Sequence, residues 1–206
     1  MGHFHKKEIF CYGVHALLSR HHEIRTLKRL HAPHRFGFRV WTSSWLLMDF
    51  FKRHGLPAGT HVMELGCGWG LAGIYCTKMH QAVVTGVDID PEVFFYLRHH
   101  SEINTVNMAT MNMGFEELGP EQLKNVKVLI GADICFWDTM AETLKRLIHR
   151  AFDEGVRLVV LADPGRQPFD RLCEYFTAKM GAEILNCSIE QPYAIQGRIL
   201  KISSFA

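Results

Sequence analysis

Four short apolar runs each carry an acid at or just past their end. Residues 61–65 hold Glu64, residues 82–87 run into Asp88, residues 126–132 into Asp133, and residues 156–162 into Asp163. Between them, residues 71–80, 91–104 and 139–153 read as helices. Strands that alternate with helices imply a parallel sheet covered on both faces, because each parallel connection must cross over the sheet. Open sheets of this kind bind ligands beyond the carboxyl ends of their strands. One acid there is an ordinary helix cap. Four at the same edge point to a site.

The remaining segments complete the pattern. Residues 15–31 and 43–54 read as helices, the second capped by Ser43 or Ser44. Residues 107–113 supply a third strand and residues 168–179 a last helix. Residues 182–189 and 198–205 are final strands joined by a short loop, so they pair antiparallel. The expected fold is α/β: a seven-stranded, mostly parallel sheet with one reversed strand near the C-terminus and helices on both faces. Residues 1–40 stand apart as an N-terminal helical segment ahead of a ligand-binding domain over residues 41–206.

Composition narrows the class. A chain of 206 residues, 48% hydrophobic, has enough apolar material for one core. A net charge of +2 argues against nucleic-acid binding by bulk electrostatics. The basic surplus lies in residues 1–39, with Lys6, Lys7, Arg20, Arg25, Lys28, Arg29, Arg35 and Arg39 among several histidines. It reads as a solvated face, or as a surface that steers an acidic protein partner. The six cysteines include no C-x-x-C pair, so no metal site is expected, and they suit a reducing compartment. No leader-like or 18-residue apolar run occurs, so a cytoplasmic protein without membrane contact is expected.

The first acid opens a glycine loop, Glu64-Leu65-Gly66-Cys67-Gly68-Trp69-Gly70. Glycine permits positive φ and close approach of a ligand to backbone. About 20 residues on, Asp88 ends the next strand, where a carboxylate can accept from both hydroxyls of a ribose. Gly68-Trp69-Gly70-Leu71-Ala72-Gly73 also satisfies the dinucleotide pattern G-x-G-x-x-G. Its first glycine falls two residues too late, however, and Glu64 would repel a pyrophosphate. An acid there suits a ligand with a cationic end, such as S-adenosylmethionine.

Residues 62–70 and 84–91 resemble the first two motifs of class I S-adenosylmethionine-dependent methyltransferases, a Rossmann-like family, and the resemblance covers roughly residues 40–206. It implies that Glu64, Gly66, Cys67 and Gly68 hold the methionine moiety, that Asp88 takes the ribose, and that Ile89 and Phe115 flank adenine. Trp41 and Ala132 join this set. Asp133-Ile134-Cys135-Phe136 resembles the D-x-x-Y/F signature of the lysine methyltransferase-like group called family 16. Trp41–Trp45 and Ala162–Arg166 are similar to other segments of that group.

The resemblance implies an N-methyltransferase acting on a protein lysine. Asp133 would orient the amine or take its proton, Phe136 and Trp137 would enclose the substrate chain, and Asp163 would contact the substrate. A small amine or heterocycle is the alternative acceptor. A nucleotide-binding oxidoreductase built on Gly68–Gly73 and a non-catalytic binding module are the competing classes. The signatures N-P-P-[YFW] and D-P-P-Y of nucleic-acid amino methylation do not occur.

Overall fold

The computed structural model describes residues 3–5, 7–34 and 36–204, with side chains from residue 7 onward. Lys6 and Arg35 of the basic run, and Phe205 of the last expected strand, lie outside the described residues. Strands β1 (His3–His5), β2 (Glu8–Cys11) and β3 (Val14–Leu17) form an antiparallel three-stranded sheet. Helices α1 (His22–Leu30) and α2 (Ser43–His54) follow. The main sheet comprises β4 (His61–Leu65), β5 (Val83–Asp88), β6 (Ala109–Asn112), β7 (Val128–Ala132), β8 (Leu158–Asp163), β9 (Glu183–Ile189) and β10 (Ile195–Ser203). Between these run α3 (Leu71–His80), α4 (Val93–Ile103), a short α5 (Pro120–Leu123), α6 (Asp138–Asp153) and α7 (Gln167–Met180).

The seven strands lie in the order β6-β5-β4-β7-β8-β10-β9. β10 runs antiparallel to both neighbours and the other pairings are parallel, as the sequence implies. The chain reverses direction across the sheet between β4 and β7. Their carboxyl ends flank the crevice where such sheets take ligands.

Successive residues of the central strands enter opposite cores. Val62 and Ile130 pack with α2, α3 and the N-terminal sheet, whereas Met63 and Leu129 pack with α6 and α7. Burial on both faces explains why these strands are continuous apolar runs rather than alternating ones. α2 is apolar around most of its circumference, and Trp45, Leu46, Leu47, Met48, Phe50 and Phe51 are all buried. It lies across β7, β8, β9 and β10.

Two local expectations are corrected. Residues 15–31 do not form one helix, because residues 14–17 are strand. β2 pairs with one edge of β3, and side chains of α4 serve the other. Asn104 Oδ1 accepts from the His15 N–H at 2.8 Å and its amide donates to the His15 carbonyl at 2.8 Å. The Leu17 N–H donates to His100 Nε2 at 3.1 Å. Neither Ser43 nor Ser44 caps α2. Thr42 occupies the cap position without a side-chain bond, and the Ser43 N–H donates instead to Asp133 Oδ2 at 2.9 Å.

Candidate active site

Gly66, Gly68 and Gly70 all adopt positive φ, at 56°, 51° and 71°. At Gly66 this turns the chain out of β4, and an added Cβ would stand 2.7 Å from Ile134 Cγ2. At Gly68 the same atom would meet nothing within 4 Å. The loop therefore packs against Ile134, just beyond β7, at one glycine and leaves open space at the next, which is room for a ligand against backbone.

Glu64 lies beneath the loop, only 3% exposed, with Oε2 accepting from the Gly73 N–H of α3 at 3.0 Å. Burial pushes its carboxyl up to about 8, the Gly73 and Ala72 amides opposing that rise. Burial also drives the Cys67 thiol well above its ordinary range. Asp88 shares Oδ2 with the Gly68 N–H and Oδ1 with the Asp90 N–H, both at 3.0 Å. Burial raises the Asp88 carboxyl as well.

A cavity of about 300 Å³ opens over these groups. Of the residues singled out in the sequence, Gly66, Gly68, Asp88, Ile89, Phe115, Ala132, Asp133, Phe136, Trp137 and Trp41 line it. A smaller recess holds Glu64 and Cys67 and shares Trp41, Gly66, Gly68 and Ala132 with the larger space. The two form one cleft along the sheet edge. Its size falls at the lower end of ordinary ligand pockets. Positive-φ glycines, a ribose-height carboxylate and an acid in the recess fit a nucleoside ligand with a cationic tail.

One end of the cleft is aromatic. Phe36 stacks on Phe136 with ring centroids 4.3 Å apart and planes 12° from parallel. Trp41 meets Phe136 edge-on at 5.4 Å, and Trp137 lies 5.6 Å from Phe36. Trp41 Nε1 donates to the Phe36 carbonyl at 2.9 Å, which ties the two aromatic segments together.

Asp133, 3% exposed, adopts a left-handed φ of 58° at the end of β7. Both of its oxygens are engaged, Oδ2 by the Ser43 N–H and Oδ1 by Arg166 at 2.8 Å. Arg166 also bonds Asp163 Oδ2 at 2.6 Å, and its guanidinium lies 4.4 Å from the Phe136 ring. Asp163 does not line the cavity. It is buried behind Arg166, and its Oδ1 accepts from the Gly165 and Arg166 amides. Its carboxyl is raised by burial, with Arg166 pulling the other way.

The sequence reading missed Phe36 and Arg166. Phe36 belongs to the N-terminal segment. That segment is held along α4 by the His34 N–H to Asp90 and over the glycine loop by Trp69 Nε1 to the Gly37 carbonyl at 2.8 Å. A cation three residues after Asp163 was the available signal for Arg166.

The chain is similar to known methyltransferases in sequence and in fold. Residues 62–155 match the family model described as a methyltransferase domain. A histidine protein methyltransferase 1 homolog from Dictyostelium discoideum is 30% identical over 95 residues, covering 44% of this chain and 30% of that protein. An electron transfer flavoprotein beta subunit lysine methyltransferase from Xenopus laevis is 25% identical over 139 residues, covering 65% of this chain and 56% of the relative. The chain spans under a third of the length of the first curated relatives it matches. A methyltransferase structure from Pyrococcus furiosus superposes with a TM-score of 0.59 at 21% identity, covering 88% of this chain and 96% of the other. Over residues 62–155 the chain is thus similar to a methyltransferase domain, and over most of its length to the fold of solved methyltransferases.

Proposed function

We propose that the chain transfers a methyl group from S-adenosylmethionine to a nitrogen of a protein side chain, with lysine as the acceptor. The observation that carries this reading is the aromatic mouth of Phe36, Trp41, Phe136 and Trp137 at the end of the glycine-loop cleft. Such a mouth suits the apolar stem of a lysine and favours its cationic head. The curated relatives named above act, by their names, on protein histidine and lysine, which supports a protein acceptor.

In this reading Glu64, Gly66, Cys67, Gly68 and Trp41 hold the methionine end of the cofactor. Asp88 accepts from the ribose hydroxyls, Ile89 and Phe115 flank the adenine, and Ala132 floors the cleft. The cofactor supplies an electrophilic methyl group. The protein supplies alignment of the incoming nitrogen and a site that excludes water. Phe136 and Trp137 strip water from the acceptor chain. Asp133, fixed by Arg166 and the start of α2, orients the nitrogen. Asp163 acts at one remove by holding Arg166.

A second reading is favoured by one observation. Asp133 has both oxygens engaged, and a cation is its nearest side-chain neighbour. A neutral ring nitrogen, which needs no base before attack, fits that arrangement. One experiment separates the two. The protein is incubated with methyl-labelled S-adenosylmethionine and an extract of its own cells, and labelled proteins are hydrolysed to amino acids. Label in methyllysine supports the lysine reading. Label in methylhistidine supports the second, and label confined to small molecules overturns both.

A further inference from the structure

The start of α1 carries a second group of donors, well apart from the residues assigned above. His21, His22 and Glu23 each present one donor atom, and all three atoms lie within 4.8 Å of one another. Glu23 Oε1 is 3.9 Å from His21 Nδ1 and 3.7 Å from His22 Nε2. The two imidazoles are adjacent in sequence, yet their rings face each other with centroids 4.4 Å apart. Ligands of a tetrahedral zinc ion stand about 3.4 Å apart, given bonds of about 2.1 Å. The two Glu23 contacts lie within about half an ångström of that spacing, and no pair of the three atoms is more than 4.8 Å apart.

An independent observation comes from α4. His99 Nε2, buried from solvent, lies 2.8 Å from Glu23 Oε2. It engages the oxygen that the two imidazoles leave aside. The contact is short but not aligned as a hydrogen bond, so His99 stands where a small rotation lets it hold the carboxylate, as outer groups hold ligating carboxylates. His21 Nδ1 meets only a long contact of 3.4 Å from the Glu23 N–H, so its lone pair is lightly used. His22 is 81% exposed on its side chain, which leaves the fourth position of a tetrahedron open to water.

We propose that His21, His22 and Glu23, backed by His99, bind a divalent transition metal of the zinc type. Two imidazoles and one carboxylate favour such an ion over calcium or magnesium, which take mainly oxygen ligands. The ion would fix the start of α1 and hold Glu23 toward His99 of α4. The chain leaving α1 reaches Phe36 and Gly37 at the cleft, so a filled site would steady that wall. The metal site itself does not depend on the methyltransferase reading.

The test is calorimetric titration of the untagged protein with zinc chloride, on wild type, His22→Ala and Glu23→Gln, with thermal unfolding in parallel. His22 is exposed, so its replacement leaves the fold intact. One ion per chain should bind, with affinity reduced about tenfold or more in both variants, since even loss of an outer partner costs that much. The zinc-dependent rise in Tm should vanish with it. Binding equal in wild type and variants, which would place the ion at other histidines or cysteines, overturns the proposal. So does the lack of binding at about 100 µM zinc, far above the affinities of built protein zinc sites.

Discussion

Arg166 lies 2.8 Å from Asp133 and faces the Phe136 ring at 4.4 Å, so one guanidinium braces the first and last residues of the D-x-x-F segment. Asp163 holds the same guanidinium from the far side. The side chains of both acids are 1% exposed. Removing the cation would leave two buried carboxylates with backbone donors but no opposite charge. Arg166→Met should cost about 3–5 kcal/mol of unfolding free energy. Arg166→Lys should cost clearly less, because it keeps the charge and loses only the two-pronged geometry. Urea unfolding of the three proteins checks the order.

Trp137 is the complementary case. It is 45% exposed and belongs to the cleft mouth. Trp137→Ala should change stability by about 0.5 kcal/mol or less, as surface substitutions do. Turnover of the protein acceptor should fall about tenfold or more, while binding of S-adenosylhomocysteine is unchanged. Loss of cofactor affinity alongside turnover would assign Trp137 to the other end of the cleft.

Gly73 separates α3 from β4. An added Cβ there would stand 2.5 Å from Glu64 Oε2 and 2.4 Å from the Met108 methyl group. Gly73→Ala should therefore cost about 1–3 kcal/mol through overpacking. It should also weaken S-adenosylhomocysteine binding, because the displaced carboxylate is the one that faces the recess. Isothermal titration and thermal unfolding measure the two effects separately.

Two displaced buried groups that titrate below pH 9 act on stability in opposite directions. Glu64 is held up at about 8 by burial against an ordinary 4.5. Between those values the folded state keeps a proton that the unfolded state has released, so stability falls as pH rises through that window. His100 is held down at about 4 against 6.5, again by burial. Between those values the unfolded state binds a proton that the folded state refuses, so stability falls as pH drops through that window. Protonated His100 would also point a donor at the Leu17 N–H. Tm measured from pH 4 to 9 should be nearly level where the windows overlap, between 4.5 and 6.5, and fall above it, and Glu64→Gln should abolish the fall above pH 6.5.

The parts of the site that are local in sequence were legible there. The glycine loop, Asp88, and the acids at strand ends follow from chain spacing. The position of each strand end fixed which residues would border the cleft. What was hidden depends on contacts between distant segments. Asp133 caps α2 across 90 positions, and a cap supplied from outside the helix leaves no trace beside Ser43. β3 was read as helix because its free edge is completed by His100 and Asn104 of α4, and apolar spacing over residues 14–17 carries no record of such partners. Asp163 was expected to face the substrate because it ends a strand like the others. Arg166 covers it instead, one helix start further on.

The central claim is that the cleft above Gly66 and Gly68 binds S-adenosylmethionine with Asp88 at the ribose. Calorimetric titration of S-adenosylhomocysteine into wild type and Asp88→Ala tests it most directly. Hydrogen bonds to a charged group contribute about 1.5–3 kcal/mol, so the variant should bind at least about tenfold more weakly than a saturable, 1:1 wild type. Equal affinity in the two proteins, or no binding to wild type, would contradict it.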